Sequence, residues 1–418
     1  MKKLNLTNRI FIGLISGIIL GIIMHNFTEI PFIKTYVIDF AFHFMGNIFI
    51  RSIRMLVIPL VIFSLILGAS GIEDVSKLGR IGIKTLIFYL GTTAVAILIS
   101  LFVGNLINPG LGVELSSIEN TKITISQSKS FVQILLGMIP VNPIESMAKG
   151  EMLSIITFSI IIGVAISLLN DKIPVVKKIV SEINIINLKL VEMVMLLAPF
   201  GVFGLIAQTF ATLGYAAIIP IFKYLLAVVI ALLLHALITY QGLLVFVAKY
   251  NPLTFLKKFS PVMILGFSTS SSAACLPSSL KTMEEDFGVS TTVAAFTLPL
   301  GNTINMDGTA IMQGVATIFI AQVYGIDLTM GNYVTIILTA TLASIGTAGV
   351  PGVGVIMLGM VLTEIGLPLE GIGLVMGIDR VVDMFRTAIN VTGDAICTLV
   401  IAKTENNIIE PLENITSK

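Results

Sequence analysis

Apolar residues run along this chain in long blocks separated by short polar connections. A helix that crosses a bilayer needs about 20 of them in succession. Blocks of that size lie near 9–25, 37–70, 82–107, 131–169, 187–214, 219–248, 290–324 and 370–402. Several exceed what a straight crossing requires, which predicts tilt, breakage or protrusion. Two more blocks, 255–284 and 333–366, are interrupted at their centres. The first is broken by Ser268-Thr269-Ser270-Ser271-Ser272-Ala273-Ala274, the second by Gly346-Thr347-Ala348-Gly349-Val350-Pro351-Gly352-Val353-Gly354. Half of either block is too short to span, so each reads as a re-entrant hairpin with its tip against protein or a watery cavity. The pattern predicts an all-α polytopic membrane protein with eight transmembrane helices and two re-entrant helical hairpins.

Composition removes the soluble alternative. Charged residues make up 12% of the 418 positions and hydrophobic ones 56%, whereas ordinary soluble chains are about 25% charged. A net charge of +1 offers no basic footprint for nucleic acid. Cys275 and Cys397 lie in apolar or small-residue stretches and supply neither a disulfide framework nor a cysteine metal cluster. Trp is absent, so an interfacial belt must rest on Tyr and Phe. The stretch Met1–His25 has a basic start (Lys2, Lys3, Arg9) and an apolar run, as a signal peptide does. No small-x-small cleavage site precedes Asn26-Phe27-Thr28, so it reads as a retained first helix. Lys77, Arg80 and Lys84, then Lys172, Lys177 and Lys178, then Lys249, Lys257 and Lys258, and finally Lys403 share one side with the basic start. The other side holds Lys34, Lys122 and Lys129, and positions 325–366 carry no Lys or Arg. This bias predicts both termini in the cytoplasm, the first hairpin entering from inside and the second from outside.

An echo within the chain sharpens the picture. Ser270 precedes Asn305 by 35 residues, and Thr347 precedes Asp383 by 36. Each time a small-residue tip with a nearby proline (Pro277, Pro351) leads into a long span bearing polar groups. Two hairpin-plus-helix units entering from opposite faces form an inverted repeat, the plan of secondary transporters, with the site at mid-membrane where the halves meet.

The chemistry concentrates in the last span. Taking Asp383 as zero at about 100° per residue, Asp379 falls near −40°, Arg386 near −60°, Asn390 near −20° and Asp394 near +20°. Three carboxylates, a guanidinium and an amide therefore share one stripe. A charge at mid-bilayer costs at least about 2.5 kcal/mol, so these groups must pair with each other, with ions or with a charged ligand. Inside the seventh span, Gly301-Asn302-Thr303-Ile304-Asn305-Met306-Asp307-Gly308-Thr309 is rich in poor helix formers and predicts an unwound segment. Its free carbonyls and the Asp307 carboxylate are hard donors suited to small hard cations. Ser- and Gly-rich hairpin tips offer backbone N–H groups and hydroxyls to a carboxylate.

The motifs Ser270-Ser271-Ser272, Asn305-Met306-Asp307-Gly308-Thr309, Gly346-Thr347-Ala348-Gly349-Val350-Pro351-Gly352 and Asp383…Arg386-Thr387…Asn390-Val391-Thr392-Gly393-Asp394 closely resemble the glutamate/aspartate transporter family of dicarboxylate/amino acid:cation symporters. The resemblance runs through essentially the whole chain and is most specific over 260–405. It implies sodium-coupled symport of acidic amino acids by a homotrimer in the cell membrane. It also implies a static scaffold from 1–75 (spans one and two) and 129–218 (spans four and five). The mobile, elevator-like transport domain would comprise 76–128 (span three and its loop) and 219–404 (span six, hairpin one, span seven, hairpin two and span eight), leaving 405–418 as a cytoplasmic tail. Hairpin two would serve as the gate.

By position, the resemblance assigns substrate contacts to Ser271, Ser272, Met306, Thr309, Val350, Gly354, Asp383, Arg386, Thr387 and Asn390. The chemistry agrees with it. Arg386 presents a planar fork to a side-chain carboxylate, Asp383 can hold an α-ammonium, and Asn390 with the first tip can take the α-carboxylate. A plain dicarboxylate leaves Asp383 unpaired and a neutral amino acid leaves Arg386 unpaired, whereas an acidic amino acid satisfies both. The co-transported sodium ions are assigned to three sites by the same resemblance. One comprises Gly301, Asn305, Asn390 and Asp394; a second the backbone near Thr303, Met306, Ser344, Ile345 and Thr347; a third Tyr89, Thr92 and Thr93 with Asn305 and Asp307. Read alone, the hydroxyls of span three are helix-packing groups.

Two departures stand out. Relatives often carry an extra arginine at the first tip or directly after the equivalent of Asp383, where this chain has Ser270 and Met384; Arg380, one turn back, is placed to substitute. Gln313 stands where animal relatives carry a proton-accepting glutamate, which argues against their route of proton and potassium coupling. Proton-coupled symport through Asp307 or Asp394, or carriage of a related amino acid such as cystine, stays open as an alternative. An intramembrane aspartyl protease built on those two residues is more remote, since the Gly-x-Gly-Asp signature is missing and Arg386 would be unexplained. A serine protease lacks a histidine near Ser268–Ser272 in sequence, and a passive anion channel leaves the paired acids unaccounted for.

Overall fold

The computed structural model describes residues 6–70, 79–112, 136–169, 172–344 and 352–405. The chain opens with α1 (Leu6–His25), and a π-helical segment (Ile33–Phe42) leads into α2 (His43–Ser70). Then come α3 (Gly79–Ile107), the short α4 (Pro143–Lys149), α5 (Met152–Leu169), α6 (Pro174–Met195) and α7 (Ala198–Leu213). The next helix, α8 (Ile218–His235), continues to Ala248 through π-helical turns at Ala236–Tyr240 and Leu244–Ala248. Five shorter helices follow: α9 (Pro252–Thr269), α10 (Ser272–Glu285), α11 (Thr291–Ile304), α12 (Asp307–Val323) and α13 (Met330–Ser344). The chain then forms α14 (Val353–Ile365) and the long α15 (Ile372–Thr404).

Among the described residues, five single helices are long and apolar enough to cross a membrane: Asn8–His25, Ile33–Leu67, Arg80–Ile107, Ile218–Ala248 and Leu369–Thr404. A sixth is the pair Pro174–Met195 and Ala198–Thr212, bent by 50°. Two expected boundaries are corrected here. The block 131–169 is not one helix in its described part, because Asn142 caps a new helix by accepting from Ile144 and Glu145 N–H, Pro143 occupies its first turn, and Gly150 closes it at φ 72°. The block 187–214 starts earlier, at Pro174, so Lys177 and Lys178 lie inside a helix rather than between spans. Its bend falls at Leu196-Leu197, just before Pro199 removes a backbone donor.

The first interrupted block breaks where its composition changes. Asn251 caps α9, whose first residue is Pro252, and the helix ends at Ser270 in the left-handed region (φ 52°). Ser271 restarts the chain as the cap of α10, its hydroxyl accepting from Ala274 N–H at 3.3 Å. The second interrupted block gives α13 and α14, which pack on each other as α9 and α10 do. At 1.5 Å per residue none of these four exceeds about 27 Å, less than the roughly 30 Å of hydrocarbon. The tip residues 345–351 of the second block lie outside the described set.

Burial runs inside out relative to a soluble bundle. On α3, Ile87 and Phe102 are 65% and 66% exposed, whereas Tyr89 and Thr93 are fully buried. Apolar outward faces and polar inward ones suit a lipid surround. Packing sorts the helices into two sets. α1, α2, α5, α6 and α7 pack on one another, with α1 along α7 and α2 against the rest. The second set is α3 with α8–α13 and α15, centred on α12 and α15; α14 bridges from α12 and α13 to α2 and α5, α13 also meets α5, and α15 also packs on α7. The α1–α7 seam rests on Gly13, Gly17 and Gly21 at four-residue spacing: a methyl group on Gly17 would come within 2.9 Å of the Phe203 carbonyl, and one on Gly21 within 2.7 Å of that of Ala207.

At one end of the second set, Glu405 is clasped by Lys84 and by Arg80, whose Nε donates to Oε2 at 2.9 Å, tying the end of α15 to the start of α3. Lys84 first, then Arg80, hold the Glu405 carboxyl below the usual glutamate range. A lowered pKa in the fold means the clasp contributes in full above the ordinary glutamate value and is lost as pH falls through the lowered one. Glu405→Gln is therefore expected to lower stability by at most about 1 kcal/mol at pH 7. The difference from wild type should vanish at acid pH in detergent melts; a gap that persists or widens there would count against the clasp.

Candidate functional site

The polar stripe of α15 lies inward as its spacing requires, with Asp379, Asp383, Arg386, Thr387, Asn390 and Asp394 all buried. Arg386 is 1% exposed. Its Nη2 donates to Asp383 Oδ1 at 2.5 Å, and its Nη1 stands 3.5 Å from Asp379 Oδ1. Nε and Nη1 make no hydrogen bond among the described residues, so much of a five-donor group is unspent on them in a dry place. The starts of two other helices close on it. A methyl group on Gly354 of α14 would fall 2.7 Å from Arg386 Nη1 and 3.1 Å from Thr309 Cγ2 of α12. Only a residue without a side chain leaves the guanidinium uncovered there.

The chain break between α11 and α12 falls at Asn305-Met306, within the segment expected to unwind. Asn390 spans the gap, accepting from Gly308 N–H at 2.8 Å and donating to Met306 Sδ at 3.3 Å. Thr309 donates to the same sulfur at 3.9 Å. Ser271 and Ser272 lie at the α9–α10 turn, and Gly266, one turn earlier, faces Thr387 and Val391 of α15. Thus Ser271, Ser272, Met306, Thr309, Gly354, Asp383, Arg386, Thr387 and Asn390 gather around one helix, while Val350 is outside the described residues.

Beneath this lie two carboxylates. Asp394 Oδ1 accepts from Asn305 Nδ2 at 2.8 Å, and the same amide reaches the Asn390 carbonyl at 3.2 Å. Asn305 Oδ1 is buried with no partner among the described residues. Gly301 packs against Asp394 and the Tyr89 hydroxyl. Gly301, Asn305, Asn390 and Asp394 are thereby in one place, with oxygen donors to spare. Asp307 is separate and is held from α3 and α8. Thr93 Oγ1 donates to its Oδ1 at 2.6 Å; Tyr240 OH and His235 Nε2 lie 2.9 and 3.0 Å from its Oδ2. Thr92 bonds instead to the Tyr89 carbonyl, and Tyr89 OH donates to the Thr297 carbonyl at 3.0 Å. Thr303 and Ser344 bond back within their own helices, and Ile345 and Thr347 are outside the described residues.

Residues 6–404 match the profile described as the sodium:dicarboxylate symporter family. The chain belongs to this family. It is similar to the proton/glutamate-aspartate symporter of Escherichia coli (strain K12), 37% identical over 97% of this chain and 94% of the relative. The proton/sodium-glutamate symport protein of Geobacillus stearothermophilus is 36% identical over 98% and 97%. The C4-dicarboxylate transport protein of Bacillus subtilis (strain 168) is 32% identical over 97% and 95%.

As a member of this symporter family the chain is a membrane transporter, not an enzyme. The protease alternative also fails on geometry, since Asp307 is bound by Thr93, His235 and Tyr240 while Asp394 is bound by Asn305. Helical periodicity gives no signal that His235 and Tyr240 meet. They are five residues apart, which at about 100° per residue puts them about 140° apart on an α-helix. The π-helical turn Ala236–Tyr240 brings both to one carboxylate, with ring centroids 4.6 Å apart.

Proposed function

We propose that this symporter carries acidic amino acids, aspartate or glutamate, into the cell with sodium. The observation that carries the reading is Arg386, buried beside Asp383 with donors unspent among the described residues, at the meeting of α12, α14 and α15. A purely structural pair in oil would use up its donors, because each one left bare is costly. An acidic amino acid exchanges one ion pair for two, its ammonium taking Asp383 and its side-chain carboxylate taking Arg386. A neutral amino acid would separate the pair and leave Arg386 alone. A plain C4-dicarboxylate would set a second anion against Asp383. The names of the first two relatives, glutamate-aspartate and glutamate symporters, support this choice.

The substrate adds net negative charge to a buried site, so a co-transported cation lowers the cost of closure. Sodium fits the oxygen-rich group of Gly301, Asn305, Asn390 and Asp394. Proton coupling is the second reading, favoured by the His235 contact to Asp307 and by the proton in both relatives' names. The two packing sets support a scaffold and a mobile elevator domain, with α9–α10 and α13–α14 as re-entrant hairpins. Assembly as a homotrimer in the plasma membrane, with both termini cytoplasmic, completes the proposal. Uptake of labelled aspartate or glutamate into proteoliposomes tests it, an inward sodium gradient being compared with a proton gradient alone. Sodium-driven uptake is expected; uptake driven only by protons would replace the first reading with the second.

A further inference from the structure

Among the described residues, a cavity of about 230 Å3 lies on the seam between the two sets of helices. It is framed by α2 and the end of α4 on one side, and by α14, Leu369 and the start of α15 on the other. Substrate and ion chemistry give it no role. Its inner wall is apolar: Ile53, Val57, Gly359 and Ile372 line it, and all four are buried. Two polar groups in the wall are already spent. Thr363 donates its hydroxyl to the Gly359 carbonyl at 2.7 Å, and Gly150 N–H donates to the Met147 carbonyl at 3.3 Å. A buried water needs about two to four polar partners, whereas an apolar cavity of about 150 Å3 stays dry and takes benzene. The wall suits hydrocarbon.

The surroundings supply that hydrocarbon. The cavity sits where α4 and α14 end and α15 begins, near one end of the bundle. The segment leading into α4 carries Leu136, Ile139, Val141 and Ile144 on its surface, each at least 68% exposed. Such a surface suits the boundary of headgroups and acyl chains rather than water. Lys149 lines the mouth, with 59% of its side chain accessible, and donates to Glu145 at 2.6 Å. An exposed pair of this kind is weak, so the ammonium can exchange it for a phosphate. A cation at the mouth of an apolar slot is the complement of a phosphodiester that carries a fatty acyl chain. We infer that the cavity is a binding site for a bilayer phospholipid, with one acyl chain between α2 and α14 and the phosphate at Lys149. Its walls belong to both sets of helices, so the site is complete only while they stand in this arrangement. A chain bound there favours this arrangement over any in which α14 has moved along α2.

The test is photolabelling of the full chain in nanodiscs, with a trace of phosphatidylethanolamine that bears a diazirine near the end of one acyl chain. Labelled residues are mapped by mass spectrometry. Wild-type protein is expected to carry label at Ile53, Val57 or Ile372, which lipid around the bundle cannot reach because they are buried. Phe102 on the exposed face of α3 serves as the control for that surrounding lipid. A methyl group on Gly359 would lie 3.6 Å from Ile372 Cδ1 and 3.8 Å from Leu369 Cδ2, in ordinary contact, so Gly359→Leu puts its side chain into the cavity. That variant should lose label at the wall and keep it at Phe102. Lys149→Ala changes only an exposed side chain and should lower wall labelling by about threefold. Wild-type protein labelled at Phe102 but not at the wall overturns the inference. So does wall labelling that survives in Gly359→Leu, or that Lys149→Ala leaves unchanged. Labelling is independent of which substrate or ion is carried, so its failure is distinct from failure of the transport reading.

Discussion

Arg386→Cys is expected to abolish aspartate and glutamate uptake while the protein still reaches the membrane. The guanidinium is the one cation within 4 Å of both Asp379 and Asp383 among the described residues, and charge-assisted bonds of this kind are worth about 1.5–3 kcal/mol each. Losing a two-bond grip on the substrate carboxylate corresponds to a fall in affinity of about 100-fold or more. Asp383 keeps its capacity for an ammonium and retains Arg380 at 3.5 Å, so the variant should begin to accept neutral amino acids such as serine. Part of the loss is structural, because two buried carboxylates lose their main counter-charge. Detergent melts read that share separately from uptake. Acidic-substrate affinity within a few-fold of wild type would remove Arg386 from the role given to it.

A second large effect is expected at Asp307, where alanine and asparagine should part company. The carboxylate is fully buried and accepts from three side chains on two other helices. Asp307→Ala takes the shared acceptor from His235 and Tyr240, at about 1–3 kcal/mol apiece, and leaves Thr93 only the Tyr89 carbonyl of its own helix, so folded protein should be scarce. Asp307→Asn keeps the shape. Its amide oxygen can still accept from His235 and Tyr240, and its NH2 can donate to the Thr93 hydroxyl. That variant should fold with a melting temperature near wild type yet show its driving-ion requirement weakened at least tenfold, because the fixed negative charge is gone. Well-folded alanine protein, or asparagine protein with unaltered ion dependence, would contradict this account.

How much of this was legible beforehand differs by residue. The α15 stripe was readable because charges on an apolar helix are rare and their angular positions follow from spacing alone. The break at Asn305-Met306 was readable from local propensity, as was the turn at Ser270-Ser271. The division of 131–169 was written in Asn142-Pro143 and Gly150, capping signals that a count of apolar residues does not register. The early start at Pro174 was hidden by Lys177 and Lys178, which read as a connection between spans yet lie inside the helix. The Gly13, Gly17, Gly21 seam shows in the sequence as a spacing, but spacing alone does not say which helix lies against it. His235 and Tyr240 were out of reach, since a regular helix sets them on different sides.

That last point bears on chain length in α8. The Ala236–Tyr240 turn holds more residues than an α-helical turn, and this surplus lets the imidazole and the phenol share one oxygen. Deleting any single residue between 236 and 239 would leave the hydropathy profile almost untouched, yet it would swing everything downstream by about a quarter of a revolution. Tyr240 would then point at lipid and Asp307 would lose a tether. In this stretch the number of residues, more than their identity, is what ties α8 to α12.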